Sequence, residues 1–72
     1  MIIQTKYKIG DEVWFQTLGV NYRANVVAIT VNILIDGDVI INYNLERVGY
    51  HYERNEDELF WTKEDLLRIL QL

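Results

Sequence analysis

The sequence predicts a small, mainly β domain closed by one C-terminal helix. Two long segments, Tyr22–Ile35 and Val39–Glu46, alternate apolar residues at period two, the pattern of a half-buried antiparallel strand. Four glycines (Gly10, Gly19, Gly37, Gly49) punctuate runs rich in Val, Ile and Tyr, which suggests short strands joined by turns in a small barrel or sandwich. A Thr62-x-x-Asp65 signature then precedes a leucine-rich stretch, the start signal of a helix.

Taken in order, Ile2–Lys8 is a candidate first strand and Ile9-Gly10-Asp11 a turn. Glu12–Leu18 reads as a strand with Val13, Phe15 and Thr17 on one face and Trp14, Gln16 and Leu18 on the other. Gly19-Val20-Asn21 reads as the next turn. In Tyr22–Ile35 the series Val27, Ile29, Val31, Ile33, Ile35 forms an unbroken apolar face, opposite the mixed face of Val26, Ala28, Thr30, Asn32 and Leu34. Val39, Ile41, Tyr43 and Leu45 make the matching face of the following strand. The alternation of Val48, Tyr50 and Tyr52 marks a strand end or an ordered loop, Arg54–Asp57 an exposed polar segment, and Glu58–Trp61 a short last strand.

Side-chain parity decides the central hairpin. A two-residue Asp36-Gly37 loop would set Ile33 against Ile40 and Val31 against Asn42, placing asparagines on the apolar face. A three-residue loop, Ile35-Asp36-Gly37, sets Ile33 against Val39, Val31 against Ile41 and Ile29 against Tyr43. Gly37 then takes the left-handed position of a type I turn with a bulge. A loop of Asp36-Gly37-Asp38 has the same parity and is the second choice.

The C-terminal helix is expected over approximately 63–71. Thr62 caps it, Trp61 and Leu66 stand at staple positions, Glu64 and Asp65 lie at the positive end of the dipole, and Arg68 lies nearer the negative end. Leu66, Leu67, Ile69, Leu70 and Leu72 give it a broad apolar face. Two to three turns are not stable alone, so this helix must dock, over an open barrel end or on another chain.

At 72 residues the chain is one domain, 1–72, with a modest core. It has no cysteine, so no disulfide or thiolate zinc site reinforces it, and association with a partner or a second copy is a reasonable expectation. Met1–Lys6 does not read as a signal peptide, and the apolar stretch Val26–Ile35 is too short to span a bilayer, so the expected setting is cytoplasmic. Net charge is −4, with the acids gathered from Glu53 onward and the seven Lys and Arg residues scattered. Nucleic-acid binding usually draws on clustered cations, and the sequence shows no such run.

Candidate chemistry is sparse. His51 is the one histidine, and it reads as a loop residue before it reads as half of an acid–base pair with Glu53. Serine and cysteine are absent, which removes the usual nucleophiles. Glu53, Glu56, Asp57 and Glu58 lack the spacing of a cation loop and read as a solvated acidic stretch. No catalytic residue, metal site or cofactor is expected. The aromatic residues are the informative set. Trp14, Tyr22, Tyr50 and Tyr52 form a candidate binding surface for a proline-rich peptide, a cation, stacked bases or another protein. The competing reading puts Trp14 under the C-terminal helix and the tyrosines at a barrel rim.

The segment Tyr7-Lys8-Ile9-Gly10-Asp11-Glu12-Val13-Trp14-Phe15 is similar to the entry strand of SH3-like barrels of the KOW and Tudor type. Glu58-Leu59-Phe60-Trp61-Thr62-Lys63-Glu64-Asp65-Leu66 resembles the ending of many small bacterial and phage proteins without an assigned role. This resemblance implies an SH3-like barrel of about five antiparallel strands with a C-terminal helix; the alternative is an α+β domain whose curved sheet the helix covers. It implies no catalytic residue. The expected function is a non-catalytic protein-interaction module of phage or bacterial context. The alternative is a KOW- or OB-like nucleic-acid-binding module using Lys6, Lys8, Arg23, Arg47 and Arg54.

Overall fold

The computed structural model describes residues 3–70. Its elements are β1 (Glu12–Thr17), β2 (Val20–Ile33), β3 (Val39–Arg47), β4 (Tyr50–Asn55), a single 3-10 turn (Glu56–Glu58) and α1 (Lys63–Leu70). The four strands form one antiparallel sheet in sequence order, so the chain is mainly β with a C-terminal helix. After the 3-10 turn the chain returns to β1. There Phe60 makes an isolated bridge to Trp14, each backbone N–H donating to the other's carbonyl at 2.7 and 2.9 Å. Among the described residues no helix is long and apolar enough to cross a membrane.

The central hairpin has the register that parity predicts: Ile33 faces Val39, Val31 faces Ile41 and Ile29 faces Tyr43. Leu34 N–H donates to the Asp38 carbonyl at 2.8 Å and Gly37 N–H to the Leu34 carbonyl at 2.9 Å, which leaves Ile35-Asp36-Gly37 as the loop. Gly37 has φ +92°, the left-handed conformation the turn requires. Asp38 N–H also donates to the Asp36 carboxylate at 3.0 Å.

The apolar face of β2 departs from the sequence reading at one residue. The register shifts between Val26 and Ala28: Val26 pairs with Leu45, Ala28 pairs with Asn44, and Val27 has no partner. This is a β-bulge, and an extra residue reverses side-chain parity. Val26 is therefore 1% exposed while Val27 is 40% exposed, the opposite of the faces read from period two. Beyond the bulge, Ile29 returns to the core side and packs against it.

The core comprises Tyr7, Val13, Phe15, Ala24, Val26, Tyr43, Leu45 and Leu59, with Tyr22, Ile29, Ile41 and Tyr52 at its border. Tyr7 comes from a segment expected to be a strand. Residues 3–8 form no strand, and Ile2 lies outside the described residues. Instead Tyr7 plugs the core edge-on to Tyr43, ring centroids 5.3 Å apart, and its hydroxyl donates to the Leu59 carbonyl at 2.9 Å. Tyr43 hydroxyl accepts from Tyr7 N–H at 3.3 Å and donates to the Glu56 carboxylate at 2.5 Å, and Lys6 N–H reaches that carboxylate at 3.2 Å. These bonds tie the N-terminal segment and the 3-10 turn to the sheet. Asn55 caps the turn: its side chain accepts from Asp57 N–H, and its own N–H donates to Glu58.

The other boundaries shift slightly. The β1–β2 turn is Leu18-Gly19 rather than Gly19-Val20-Asn21, and β4 takes in residues read as strand end and polar loop. In α1, Thr62 hydroxyl accepts from Asp65 N–H at 3.1 Å, the expected cap. Leu66 is buried, Leu67 is half-buried, Ile69 is exposed, and residues 71 and 72 lie outside the described residues. Trp61 lies on the Tyr7 ring at 4.6 Å.

Two predictions follow from this packing. Val26→Ala should destabilise the fold by about 2 kcal/mol, since two buried methyl groups are lost. Val27→Ala should stay within about 0.5 kcal/mol of the parent. Denaturant unfolding of the pair reads the bulge directly, because an unbulged strand gives the reverse order. Second, burial, with the nearby Tyr43, Glu56 and Asp65, pushes the Tyr7 hydroxyl up from 10.0 to about 12. The unfolded chain releases this proton first as pH rises, so the stabilisation is intact below pH 10 and is lost between pH 10 and 12. Its size is roughly 2–3 kcal/mol. Tyr7→Phe should lower stability at neutral pH by about 1 kcal/mol or more and flatten this alkaline decline, measured by urea unfolding across pH.

Candidate functional site

The β1–β2 and β3–β4 turns lie at one end of the sheet and the β2–β3 turn at the other. At the two-turn end the core surfaces as a cluster of aromatics. Phe15 lies 5.8 Å from Tyr22 and 5.0 Å from Tyr52, and Tyr22 and Tyr52 stack on each other at 6.1 Å. Register explains the meeting, since Phe15 pairs with Tyr22 and Leu45 with Tyr52, and paired residues share a face.

Two arginines flank this stack. The Arg47 guanidinium lies over Tyr22 at 5.0 Å, and Arg54 lies over Phe15 and Tyr52 at 5.4 and 5.8 Å. Arg54 is committed to the fold: it donates to Thr17 Oγ1 and to the Glu53 carbonyl, and it faces Glu58 at 3.8 Å. The Thr17 contact joins the two outer strands of the sheet. Arg47 forms no ion pair among the described residues, which leaves its guanidinium available to a ligand.

The candidate residues divide between the sheet faces. Tyr22 and Tyr52 are half-buried in the aromatic stack, and Tyr50 is exposed beside it. Trp14 is half-buried on the opposite face, where it pairs with Arg23. A hollow of about 430 Å³, lined by Trp14, Arg23, Arg47 and Val48, adjoins the β3–β4 turn. His51 is exposed on β4 across from Glu46. Glu56 and Glu58 are engaged by Tyr43, Lys6 and Asn55, and the described residues include no cluster of three potential metal ligands.

Sequence reasoning missed Leu18 and Val48. Each is the first residue of a two-residue hairpin loop, with φ of 52° and 48° and a glycine at positive φ after it. This is the backbone pattern of a type I′ turn, which favours Asn-Gly or Asp-Gly. A leucine, and still more a β-branched valine, is strained there. Both side chains are in solvent, at 97% and 82% exposure, and Val20 and Tyr50 beside them are exposed as well. Leu-Gly and Val-Gly carry no turn signal comparable to Asn-Gly, so the signal was the glycine alone.

Compared with known proteins, the chain matches no protein-family model, no curated protein and no solved structure.

Replacing either strained residue by the one its turn prefers should stabilise the fold. Leu18→Asn and Val48→Asn should each raise the unfolding free energy by about 0.5–1 kcal/mol, additively, in chemical denaturation.

Proposed function

We propose that this chain is a non-catalytic protein-interaction module that engages its partner with the two-turn end of the sheet. The observation that carries this reading is the pair of strained, solvent-facing apolar residues Leu18 and Val48. Asparagine at either position would make a better turn and a more soluble surface. Backbone strain of this kind concentrates at functional sites. Around these residues stand Val20 and Tyr50, the half-buried Tyr22 and Tyr52, and the uncommitted Arg47. Tyrosine and arginine, with tryptophan, are enriched at contact hot spots. An apolar segment carrying a carboxylate fits this surface: aliphatic groups meet Leu18 and Val48, and the carboxylate pairs with Arg47.

An SH3-like barrel is the architecture we propose behind the sheet. Three features support it: the meander order, the Arg54–Thr17 contact between the outer strands, and the Phe60–Trp14 bridge that a fifth strand would extend. A cytoplasmic setting and a phage or bacterial context remain part of this proposal.

A second reading is favoured by the stack itself. Arg47, Tyr22, Tyr52 and Arg54 are layered as bases and guanidinium groups layer in single-strand binding. Net charge −4 weighs against it. Gel-shift titration with single-stranded oligonucleotides should show no salt-sensitive shift; such a shift, lost in Arg47→Ala, would favour nucleic acid instead.

The test of the main reading is affinity capture with the tagged chain and with a Leu18→Asn/Val48→Asn/Tyr50→Ala variant. The proposal expects partners of the parent to be lost from the variant while the variant stays folded by circular dichroism. Equal retention of every partner would sink it.

A further inference from the structure

At the other end of the sheet the β2–β3 hairpin runs on alone. β1 pairs with β2 only as far as Asn25, and β4 pairs with β3 only from Asn42 onward. Past these points Val31–Ile41 is a two-stranded arm. Every residue from Thr30 to Ile40 is exposed. Six of them are large and apolar: Val31, Ile33, Leu34, Ile35, Val39 and Ile40. Val31, Ile33 and Val39 continue the core face of Ile29 and Ile41 outward and stay 37%, 55% and 39% exposed, with Asn55, Glu56 and Asp57 bordering a hollow beside Val39.

We propose that this arm is the contact between two copies of the chain, the arms lying antiparallel across a twofold axis. Area is the first argument. A compact monomer of 8.6 kDa exposes about 4,700 Å², whereas this chain exposes 5309 Å². Its radius of gyration is 12.9 Å, against about 11 Å for a compact domain of this length. The surplus over the whole surface, to which the arm and the two-turn end both contribute, is roughly 600 Å² per copy, and two copies together offer about 1,200 Å², the lower bound of specific interfaces.

Charge is the second argument. Residues 24–35 and 39–45 contain no ionisable side chain except Tyr43, which is buried. The arm thus selects no oppositely charged partner, and it meets its own copy without repulsion although the chain carries −4. Depletion of charge is the mark of homodimer interfaces. Antiparallel arms also hold the two tips, each bearing Asp36 and Asp38, at opposite ends of the contact. The edges are the third. Soluble proteins guard long apolar edge strands with lysine, proline or inward charge, and Val31–Ile35 and Val39–Ile41 have none of these. A second arm packed face to face covers Val31, Ile33 and Val39 of both copies and occupies the space beside these unguarded edges.

The experiment is the mass of the full chain by sedimentation from micromolar to millimolar concentration, with thermal unfolding at each concentration. The proposal expects twice 8.6 kDa at the upper end, and a midpoint that rises with concentration. Ile33→Lys, and separately Val39→Lys, should weaken self-association at least tenfold while keeping the parent's circular dichroism, since both side chains already face solvent. Tyr50→Ala should leave the mass unchanged, which separates this contact from the partner surface at the opposite end. A parent that stays monomeric at millimolar concentration overturns the proposal. So does a dimer that both lysine variants form as tightly as the parent.

Discussion

The extra residue at Val27 is the constraint on which the rest of the molecule depends. β2 serves two different neighbours. Its first half, to Asn25, pairs with β1, and from Asn25 onward it pairs with β3. A bulge between these halves bends the strand and increases its twist. It also resets parity, so that Ala24 and Val26 face the core before it and Ile29 faces the core after it. Without it one half of β2 would present its polar side inward. The bulge thus joins a packed body to a projecting arm within a single strand.

The body is completed without a regular first strand. Tyr7 fills the space that a strand residue would fill, and its ring and hydroxyl are both satisfied by Tyr43 and Leu59. Glu56 then gathers the Tyr43 hydroxyl and the Lys6 amide, holding the 3-10 turn against the sheet. A buried phenol with its hydrogen bonds made costs little to bury, whereas one left unpaired costs about 1–3 kcal/mol. This network accounts for two of the larger buried side chains in a core that has few. The helix packs against β1, adding Leu66 to the buried residues and leaving Ile69 in solvent.

Much of this was legible in the residues. Parity between β2 and β3 was enough to reject the two-residue loop, which set asparagines against Val31 and Ile29, and the left-handed position that suits Gly37 favoured Ile35-Asp36-Gly37 over the equal-parity Asp36-Gly37-Asp38. Thr62 and Asp65 were enough to place the helix start. The bulge was not legible, because Val26 and Val27 are adjacent and equally apolar: either can face inward, and only the demands of β1 and β3 together decide. The non-strand course of residues 3–8 was hidden for a similar reason, since Ile3 and Tyr7 suit a strand and a plug alike. At the site, the sequence pointed to tyrosines and a tryptophan by type, and the fold separates Trp14 from Tyr22 and Tyr52 by one step of alternation. Leu18 and Val48 became visible only through their backbone, whose left-handed conformation no apolar residue advertises.

Much of the exposed apolar surface stands at the two ends of the sheet, with a hydrogen-bonded body between them. One end is short, strained and aromatic, and the other is long and regular, with its only charges, Asp36 and Asp38, at the tip. Both assignments rest on the parity of β2, and the most direct test of that parity is the pattern of inter-strand nuclear Overhauser contacts in the labelled protein. The account predicts contacts placing Val26 opposite Leu45 and Ile29 opposite Tyr43, with Val27 opposite neither. Contacts placing Val27 opposite Leu45 would show an unbroken strand and would contradict it.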